Sequence, residues 1–398
     1  THRYTLFPYT TLFRSQLLAF MSLWREKNKK FLFLLLGSLV FLCSLFFYQI
    51  SGNGLEVRPD INSERNEKDK NEKDKEEKIW PELPMRPPLV LLFGGDVMLS
   101  RTVNAKMAAY DDYEWPFAQI SQLTSSADIT IFNLESPFLK DADYNVPSGS
   151  FMFKADPKAI IGLQAAGVDV LSLANNHIMN MGDRGLDDTL SILQMAGIGA
   201  VGAGQNEKAA RQGYLWTGKG WKVAFLSYAY PDDNSVAGEK KPGISTMDVD
   251  NLREDIARWR HQADLVIVLM HAGTEYVSSP NKEQVTFARA AIDAGADAVI
   301  GHHPHWPQSW EIYQNKPIFY SLGNLVFDQM WSRETSQGLL ARLTFNDNFS
   351  GQAELWPIII SDYGQAQLWP EAVPESIFWD AYDLPIPADL SWPALGDN

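Results

Sequence analysis

From residue 89 onward, short apolar runs alternate with segments whose apolar residues recur at the spacing of a helix. Leu186, Leu190 and Leu193 show the helical spacing, because residues at i, i+4 and i+7 share one face of a helix. Strands that alternate with helices in this way predict a layered α/β domain. The predicted strands cover residues 89–93, 129–132, 168–173, 223–228, 265–270, 298–300 and 318–320.

Polar side chains gather just beyond the ends of five of these runs. They lie in the segments GGDVMLSR (Asp96, Arg101), NLES (Asn133, Glu135), ANNH (Asn175, Asn176, His177), VLMHAGTE (His271, Glu275) and VIGHHPH (His302, His303, His305). Five of the seven histidines of the chain are in this set. Because ligands bind outside the carboxyl ends of the strands in α/β sheets, the pattern predicts a functional site at that edge.

The side chains in these segments are oxygen and nitrogen donors. The one cysteine, Cys43, lies elsewhere. Such a donor set suits manganese, iron, zinc or magnesium rather than a structural thiolate zinc site. Two ions would need a carboxylate between them and several ligands on each side, which five segments can supply. Each residue alone has a plainer interpretation as a cap, an ion-pair partner or a core histidine, so the hypothesis depends on the ordered combination.

The chain ahead of the domain predicts a membrane anchor. Residues 1–20 lack an initiator Met, and we interpret them as a non-native leader ahead of Met21. A basic flank over residues 21–30 precedes an uncharged run over 31–50, long enough for one transmembrane helix with its N-terminus in the cytoplasm. A cleaved signal peptide is the alternative. The localisation predicted is the cell membrane, single-pass, with the C-terminal domain outside.

Charge divides the remainder of the chain. Residues 51–87 form a charged linker, in which residues 58–88 hold 8 basic and 9 acidic side chains. We place the domain at 88–345 and a C-terminal extension packed on it at 346–398. From residue 89 onward there are 20 basic and 38 acidic side chains, a net charge of −18. This balance argues against nucleic acid as a partner, because phosphate contacts need an excess of Lys and Arg.

A family resemblance adds to this interpretation. The ordered motifs GGDVML, NLES, ANNH, HAGTEY, GHHPHWPQ and YSLGNLVFD closely resemble the capsule-synthesis protein (CapA) family, associated with bacterial poly-γ-glutamate capsules. The resemblance covers about residues 89–330 and implies a layered sandwich of the calcineurin-like metallophosphatase type, which would follow the one transmembrane helix predicted at 31–50. It also implies that the partners are the membrane and an anionic capsule polymer or its synthesis machinery.

The resemblance implies roles for individual residues. Asp96 and His305 would hold a first metal ion, Glu135 would bridge two ions, and Asn176, His271 and His303 would hold the second. His177 would be the catalytic proton donor, Arg101 and Asn175 would bind substrate, and His302 would lie outside the ligand set. Met98 stands where those phosphatases usually carry histidine, and Glu135 where they usually carry aspartate. We therefore expect a first metal position that is weak, empty or filled by a different ion.

This set of residues and the resemblance together imply three alternative functions. The first is hydrolysis or group transfer by metal-activated water at the cell surface, with two divalent ions and either a phosphoester or an acyl bond as substrate. The second is a non-catalytic component that exports or anchors the capsule polymer. The third is a surface phosphoesterase unrelated to capsule.

Overall fold

Seventeen strands and seven helices make up the part of the chain that the computed structural model describes, residues 86–141, 151–231, 235–370 and 374–379. The strands are β1 (Leu89–Val97), β2 (Ile129–Leu134), β3 (Val170–Ser172), β4 (Gly199–Val201), β5 (Ala203–Gly204), β6 (Tyr214–Gly218), β7 (Trp221–Ala229), β8 (Gly243–Ile244), β9 (Leu265–His271), β10 (Ala298–His302), β11 (Trp310–Tyr313), β12 (Lys316–Phe319), β13 (Asn324–Val326), β14 (Gln337–Phe345), β15 (Gly351–Ser361), β16 (Gln365–Leu368) and β17 (Glu375–Trp379). The helices are α1 (Arg101–Tyr110), α2 (Ser121–Thr124), α3 (Ile160–Ala165), α4 (Gly182–Ala196), α5 (Glu207–Ala210), α6 (Val249–Arg260) and α7 (Lys282–Asp293). All seven predicted strands are confirmed, as β1, β2, β3, β7, β9, β10 and β12.

The strands form two large sheets and one short ribbon. The first sheet has nine strands in the order β16-β15-β14-β1-β2-β3-β4, with β13 paired to β1 and β17 paired to β15. The second has six in the order β11-β12-β10-β9-β7-β6, and β5 pairs with β8 in the ribbon. Strands β1 to β4 are parallel to one another, and so are β7, β9, β10 and β12. Parallel pairing places the carboxyl ends of the strands in each group at one edge.

The two sheets pack face to face between two layers of helices. On β1, Leu91 and Phe93 share a buried apolar cluster with β7 and β9 of the other sheet, whereas Leu92 packs with α1 and α4. This alternation follows from the two-residue period of a strand. The far face of the second sheet packs against α6 and α7 through Ile256 and Phe287. The predicted layered α/β domain is confirmed as a mixed α/β sandwich.

The C-terminal strands belong to the first sheet. Strand β14 pairs with β15 along its whole length, from Gln337 opposite Ile359 to Phe345 opposite Gly351. Strands β16 and β17 both pair with β15. The described strands beyond the predicted division at residue 345 therefore extend this sheet.

Other predictions concern residues at the N-terminus of the chain. The leader (1–20), the basic flank (21–30), the transmembrane helix (31–50) and almost all of the linker (51–87) lie outside the described residues. Among the helices that are described, none is long and apolar enough to cross a membrane. The membrane anchor therefore stays a prediction.

A buried carboxylate ties the outer helix layer to the second sheet. Asp255 on α6 is completely buried and accepts hydrogen bonds from Nε and Nη2 of Arg211, both at 3.1 Å, and from the Tyr228 hydroxyl at 2.9 Å. Removal of one partner from a buried ion pair leaves the other groups desolvated without compensation. We expect Asp255→Ala to lower the free energy of unfolding by about 3 kcal/mol, measured by urea unfolding.

Glu254 is the matched control for this prediction. It lies on the same helix and also accepts from Arg211 Nη2, at 3.1 Å, but its side chain is 74% exposed. Exposed ion pairs contribute about 0–1 kcal/mol, so Glu254→Ala should change the unfolding midpoint little. Equal losses in the two variants would show that burial of Asp255 is not what makes its contacts important.

Candidate metal centre

Strand register brings the candidate residues together. In the first sheet, Asp96 on β1 lies opposite Asn133 on β2 and opposite Asn324 on β13. In the second sheet, His271 at the end of β9 lies opposite His302 at the end of β10. The carboxyl ends of both sheets thus contribute side chains to one site, as the sequence pattern predicts.

A break in the ladder of β1 turns Asp96 into the site. Its pairing with β2 shifts between Phe93 and Asp96, and its pairing with β13 shifts between Asp96 and Val97. The backbone N–H of Asp96 donates to the carbonyl oxygen of Gly323 at 2.9 Å. A Cβ atom on Gly95 would overlap that same carbonyl oxygen. Glycine is required here because two backbones approach closely at the bulge.

Three buried side chains form one potential ligand group. Ligand atoms of Asp96, Glu135 and His305 lie within 4.8 Å of one another. Oδ2 of Asp96 lies 3.5 Å from Nδ1 of His305, whose Nε2 is 4.0 Å from Oε1 of Glu135. The backbone N–H of His303 donates to Asp96 Oδ2 at 3.2 Å, which fixes the carboxylate.

Asn324 sets the tautomer of His305. Its amide nitrogen donates to the carbonyl oxygen of Thr335 at 2.8 Å, so its Oδ1 faces His305 Nδ1, 2.9 Å away. An amide oxygen only accepts, and Nδ1 of His305 therefore carries the proton. Nε2 of His305 faces Glu135, and once this ring is neutral its Nε2 lone pair has the orientation that a metal-binding histidine needs.

A second potential ligand group lies on the other side of Glu135. Nε2 of His271 is 2.9 Å from Asn176 Oδ1 and 3.8 Å from Glu135 Oε1. The His303 ring lies 4.8 Å from the His271 ring, centroid to centroid. Glu135 thus stands between the two groups, with Asp96 and His305 in one and Asn176, His271 and His303 in the other.

Glu135 shows that this arrangement suits a cation. The residue is completely buried, and neither carboxylate oxygen has a hydrogen-bond partner. Nδ1 of His303 is also buried and unpartnered. A buried carboxylate is costly unless it is paired or coordinates a metal. Carboxylate, imidazole and amide donors around such a group fit a divalent ion.

The electrostatics of the site keep two of the three candidate histidine ligands neutral and favour the protonated form of the third. Burial lowers the pKa of His303 to about 4 and that of His271 well below its usual value. Burial and the nearby charge of Asp96 raise the pKa of Glu135. Although burial opposes it, the carboxylates of Glu135 and Asp96 raise the pKa of His305 to about 9. A metal ion binds the neutral imidazole, so metal binding and protonation compete at this residue.

His177 lies at the mouth of the site with one nitrogen directed inward. Its Nδ1 donates to Asn180 Oδ1 at 3.0 Å, and its Nε2 is 3.8 Å from Glu135 Oε1. The ring packs on Phe153, with centroids 4.1 Å apart, and burial lowers the pKa of His177 to about 4. The neutral ring therefore presents the Nε2 lone pair to the site, where it can take up a proton and return it.

The two predicted substrate-binding residues occupy different environments. Arg101 is partly exposed, pairs with Asp328 and places its guanidinium 4.8 Å from the centre of the Phe153 ring. Asn175 is completely buried, and its Oδ1 accepts from the backbone N–H groups of His177 and Ile178. This placement of Asn175 favours a role in shaping the loop that carries His177 over direct contact with substrate.

Two asparagines of the site were not assigned from the sequence. Nδ2 of Asn133 donates to Asp96 Oδ1 at 2.8 Å and lies 3.2 Å from His271 Nδ1, so one amide contacts both ligand groups. Asn324 orients His305. Each is a polar residue within an otherwise apolar strand, and that signal could have identified them. His302, predicted to lie outside the ligand set, places Nε2 3.1 Å from the Gly94 carbonyl oxygen.

The fold and the site define a layered α/β protein with a candidate metal centre at the carboxyl ends of its strands. Residues 90–329 match the family model described as bacterial capsule synthesis protein PGA_cap, and the chain belongs to this family. The resemblance seen in the motifs is thereby confirmed.

Named relatives agree with this assignment. The chain is 34% identical over 284 residues to the capsule biosynthesis protein CapA of Bacillus anthracis, covering 69% of this chain and 68% of the relative. It is 32% identical over 272 residues to the PGA biosynthesis protein CapA of Bacillus subtilis strain 168, covering 68% of this chain and 71% of the relative.

Among solved structures, a putative 5′-nucleotidase from Staphylococcus aureus overlaps with a TM-score of 0.42 at 11% identity, covering 71% of this chain and 54% of that one.

Proposed function

We propose that this protein is a metal-dependent hydrolase or transferase that acts on glutamyl acyl bonds of a capsule polymer. The observation that carries the proposal is the buried carboxylate of Glu135, which has no hydrogen-bond partner and lies between two groups of oxygen and nitrogen donors. Family membership supplies the biological setting, since the relatives are capsule and PGA biosynthesis proteins. The order of donors along the strands supports a sandwich of the calcineurin-like metallophosphatase type.

In this proposal Glu135 would be a ligand in both of two positions for divalent ions. Asp96 and His305 would complete the first position, and Asn176, His271 and His303 would complete the second. Manganese, iron, zinc or magnesium in these positions would act as Lewis acids and lower the pKa of a bound water. Met98 is buried and its sulfur accepts a hydrogen bond from the Ser100 backbone N–H at 3.1 Å, so Asp96, Glu135 and His305 are the residues that would hold the first ion.

Residues around the candidate ligands bind the substrate, transfer protons and position the ligands. His177 presents the Nε2 lone pair to the site, where it would take a proton from the attacking water and return it to the leaving group. Arg101, held by Asp328 at the rim, faces an anionic group of the substrate. Asn133 contacts both Asp96 and His271 and so fixes the two ligand groups relative to each other. Asn175 fixes the loop that presents Asn176 and His177.

We also propose that the domain is held at the outer face of the cell membrane. The uncharged run at 31–50, preceded by a basic flank, supports one membrane-spanning helix with a cytoplasmic N-terminus. The partners would be the anionic polymer or the machinery that makes it. A domain of net charge −18 repels a polyanion at long range, so contact depends on the metal ions and Arg101.

The test uses full-length protein purified from membranes. We expect bound divalent metal by elemental analysis and turnover of γ-linked glutamyl oligomers. Turnover of generic phosphoesters alone would favour the surface phosphoesterase. If Asp96→Ala loses its metal yet cells carrying it still make polymer, the non-catalytic export or anchoring role would replace the enzyme.

Substitution of His177 separates proton transfer from metal binding. We expect His177→Gln to lower kcat by about 10²–10⁴, the usual contribution of general acid–base catalysis, and to leave the metal content unchanged. The matched control is His261→Gln, since His261 is exposed at the end of α6 and precedes β9, whereas His271 lies at the opposite end of that strand. Wild-type kcat in the His177 variant would remove this residue from the mechanism.

A further inference from the structure

Two aromatic side chains form a shelf beside the candidate metal centre. The Tyr276 ring stacks on His305 with centroids 6.0 Å apart and an interplanar angle of 26°. Trp331 meets Tyr276 edge-on at 6.0 Å and is 61% exposed. We call Tyr276 and Trp331 the aromatic shelf. Trp331 therefore presents a large aromatic surface to solvent beside Tyr276, which itself packs on the candidate ligand His305.

Buried amides hold the Tyr276 side of the shelf in place. The backbone N–H of Tyr276 donates to the Pro304 carbonyl oxygen at 2.9 Å. Nε2 of Gln308, which is buried, donates to the carbonyl oxygens of Val277 at 2.9 Å and Ser279 at 3.1 Å. The loop after β9 is therefore anchored to the segment that carries His303 and His305.

The Trp331 side is anchored through the same residue that orients His305. Nδ2 of Asn324 donates to Gln329 Oε1 at 3.1 Å and to the Thr335 carbonyl oxygen at 2.8 Å. These two contacts bracket Trp331 in the sequence. Both halves of the shelf are thus positioned by contacts that also position the candidate ligands, as a preorganised binding surface requires.

Backbone strain points to the same place. Among the described non-glycine residues with positive φ, four surround the site: Arg101 (48°), Tyr276 (60°), His303 (98°) and His305 (59°). Such conformations are costly and cluster where function requires them. Two of the four are candidate ligands and Arg101 is a candidate substrate contact, which leaves Tyr276 without an assigned role.

We propose that the aromatic shelf binds the amide and methylene part of a γ-linked glutamyl chain next to the reacting bond, a proposal that rests on the proposed function. A planar amide and its flanking methylenes stack on aromatic faces. Glu275 is exposed on the same loop as Tyr276 and would repel a carboxylate there. The free carboxylates of the chain therefore turn away from the shelf, towards Arg101 and the metal positions.

The experiment measures binding rather than turnover. A fluorescently labelled decamer of γ-linked glutamate is titrated with full-length, manganese-loaded protein, and affinity is measured by fluorescence anisotropy. We expect Trp331→Ala and Tyr276→Ala each to bind about three- to tenfold more weakly, with unchanged metal content. Trp331→Phe should keep most of the affinity because it keeps an aromatic face. Tyr363→Ala, at an aromatic of similar exposure on the β15–β16 turn, is the control and should bind normally.

The outcomes distinguish the shelf from the proposed reaction. Weaker decamer binding in both alanine variants supports the shelf even if the parent protein turns over no substrate. Unchanged decamer binding in both variants, or no binding by the parent, overturns it whatever the turnover. The proposal would also be overturned if both alanine variants bound adenosine 5′-monophosphate more weakly but bound the decamer normally. The shelf would then stack a nucleobase.

Discussion

Glu135→Gln is expected to abolish metal binding at both positions and to lower activity by at least about 10³-fold. Glu135 is the carboxylate within reach of both ligand groups, 3.8 Å from His271 Nε2 and 4.0 Å from His305 Nε2. A neutral amide keeps the shape of the side chain but removes the charge that neutralises the ions. Loss of a metal that activates water removes the nucleophile and the charge stabilisation together. Elemental analysis and turnover on the same sample measure both effects.

Stability measured without metal distinguishes a metal ligand from a structural residue. The Glu135 carboxylate has no hydrogen-bond partner, so the metal-free parent carries a desolvated acid with no compensation. In EDTA, Glu135→Gln should therefore unfold at the same temperature as the parent or a higher one. Added manganese should raise the melting temperature of the parent only, because a ligand that binds the folded state stabilises it.

Glu275→Gln is the control for charge without ligation. Glu275 is an exposed acid on the loop after β9 and belongs to neither ligand group. The Glu275→Gln variant should keep its bound metal, and manganese should still raise its melting temperature. If Glu275→Gln and Glu135→Gln lose metal equally, general negative potential rather than coordination by Glu135 holds the ions.

Much of the fold was predictable because the strands are buried on both faces. Continuous apolar runs such as 265–270 identify such strands, and polar residues directly after them mark the strand ends. Strands with weaker signals were harder to predict. Strands β16 and β17 are short edge strands of the first sheet, and their pairing with β15 depends on contacts that no local pattern encodes.

The site, too, was only partly predictable, because some of its contacts join residues that are distant in the sequence. The ligands were predictable because each lies at the carboxyl end of a strand or within a few residues after it, and the pattern His303-Pro304-His305 separates His303 from His302. The roles of Asn133 and Asn324 were not, since they depend on which ring nitrogen or carboxylate oxygen each amide meets across the sheets. The shelf was also beyond prediction, because the sequence alone does not show that Trp331 is exposed beside Tyr276.

The backbone at the bulge supports the second large prediction. Gly95→Ala is expected to lower the free energy of unfolding by about 4 kcal/mol or to prevent folding altogether. The added methyl would overlap the Gly323 carbonyl oxygen, which already accepts the N–H of Asp96. The overlap is with backbone on a buried strand pair, so no flexible side chain can move to relieve it. Urea unfolding of the purified protein, together with the yield of folded protein, measures the loss.

Two other glycines separate overlap from backbone conformation. Gly182 has a φ of 58° and nothing within 4 Å of the position that an added methyl would take, so Gly182→Ala should cost only the left-handed penalty of about 1–2 kcal/mol. At Gly238 the nearest atom is Lys241 Cβ at 3.5 Å, an ordinary contact without positive φ, and Gly238→Ala should be nearly neutral. If Gly95→Ala were as stable as Gly238→Ala, β1 would have to be free to move away from Gly323, and Asp96 would not be rigidly placed. Destabilisation that follows the order Gly95, Gly182, Gly238 would instead tie the position of the first metal ligand to a backbone contact that only glycine permits.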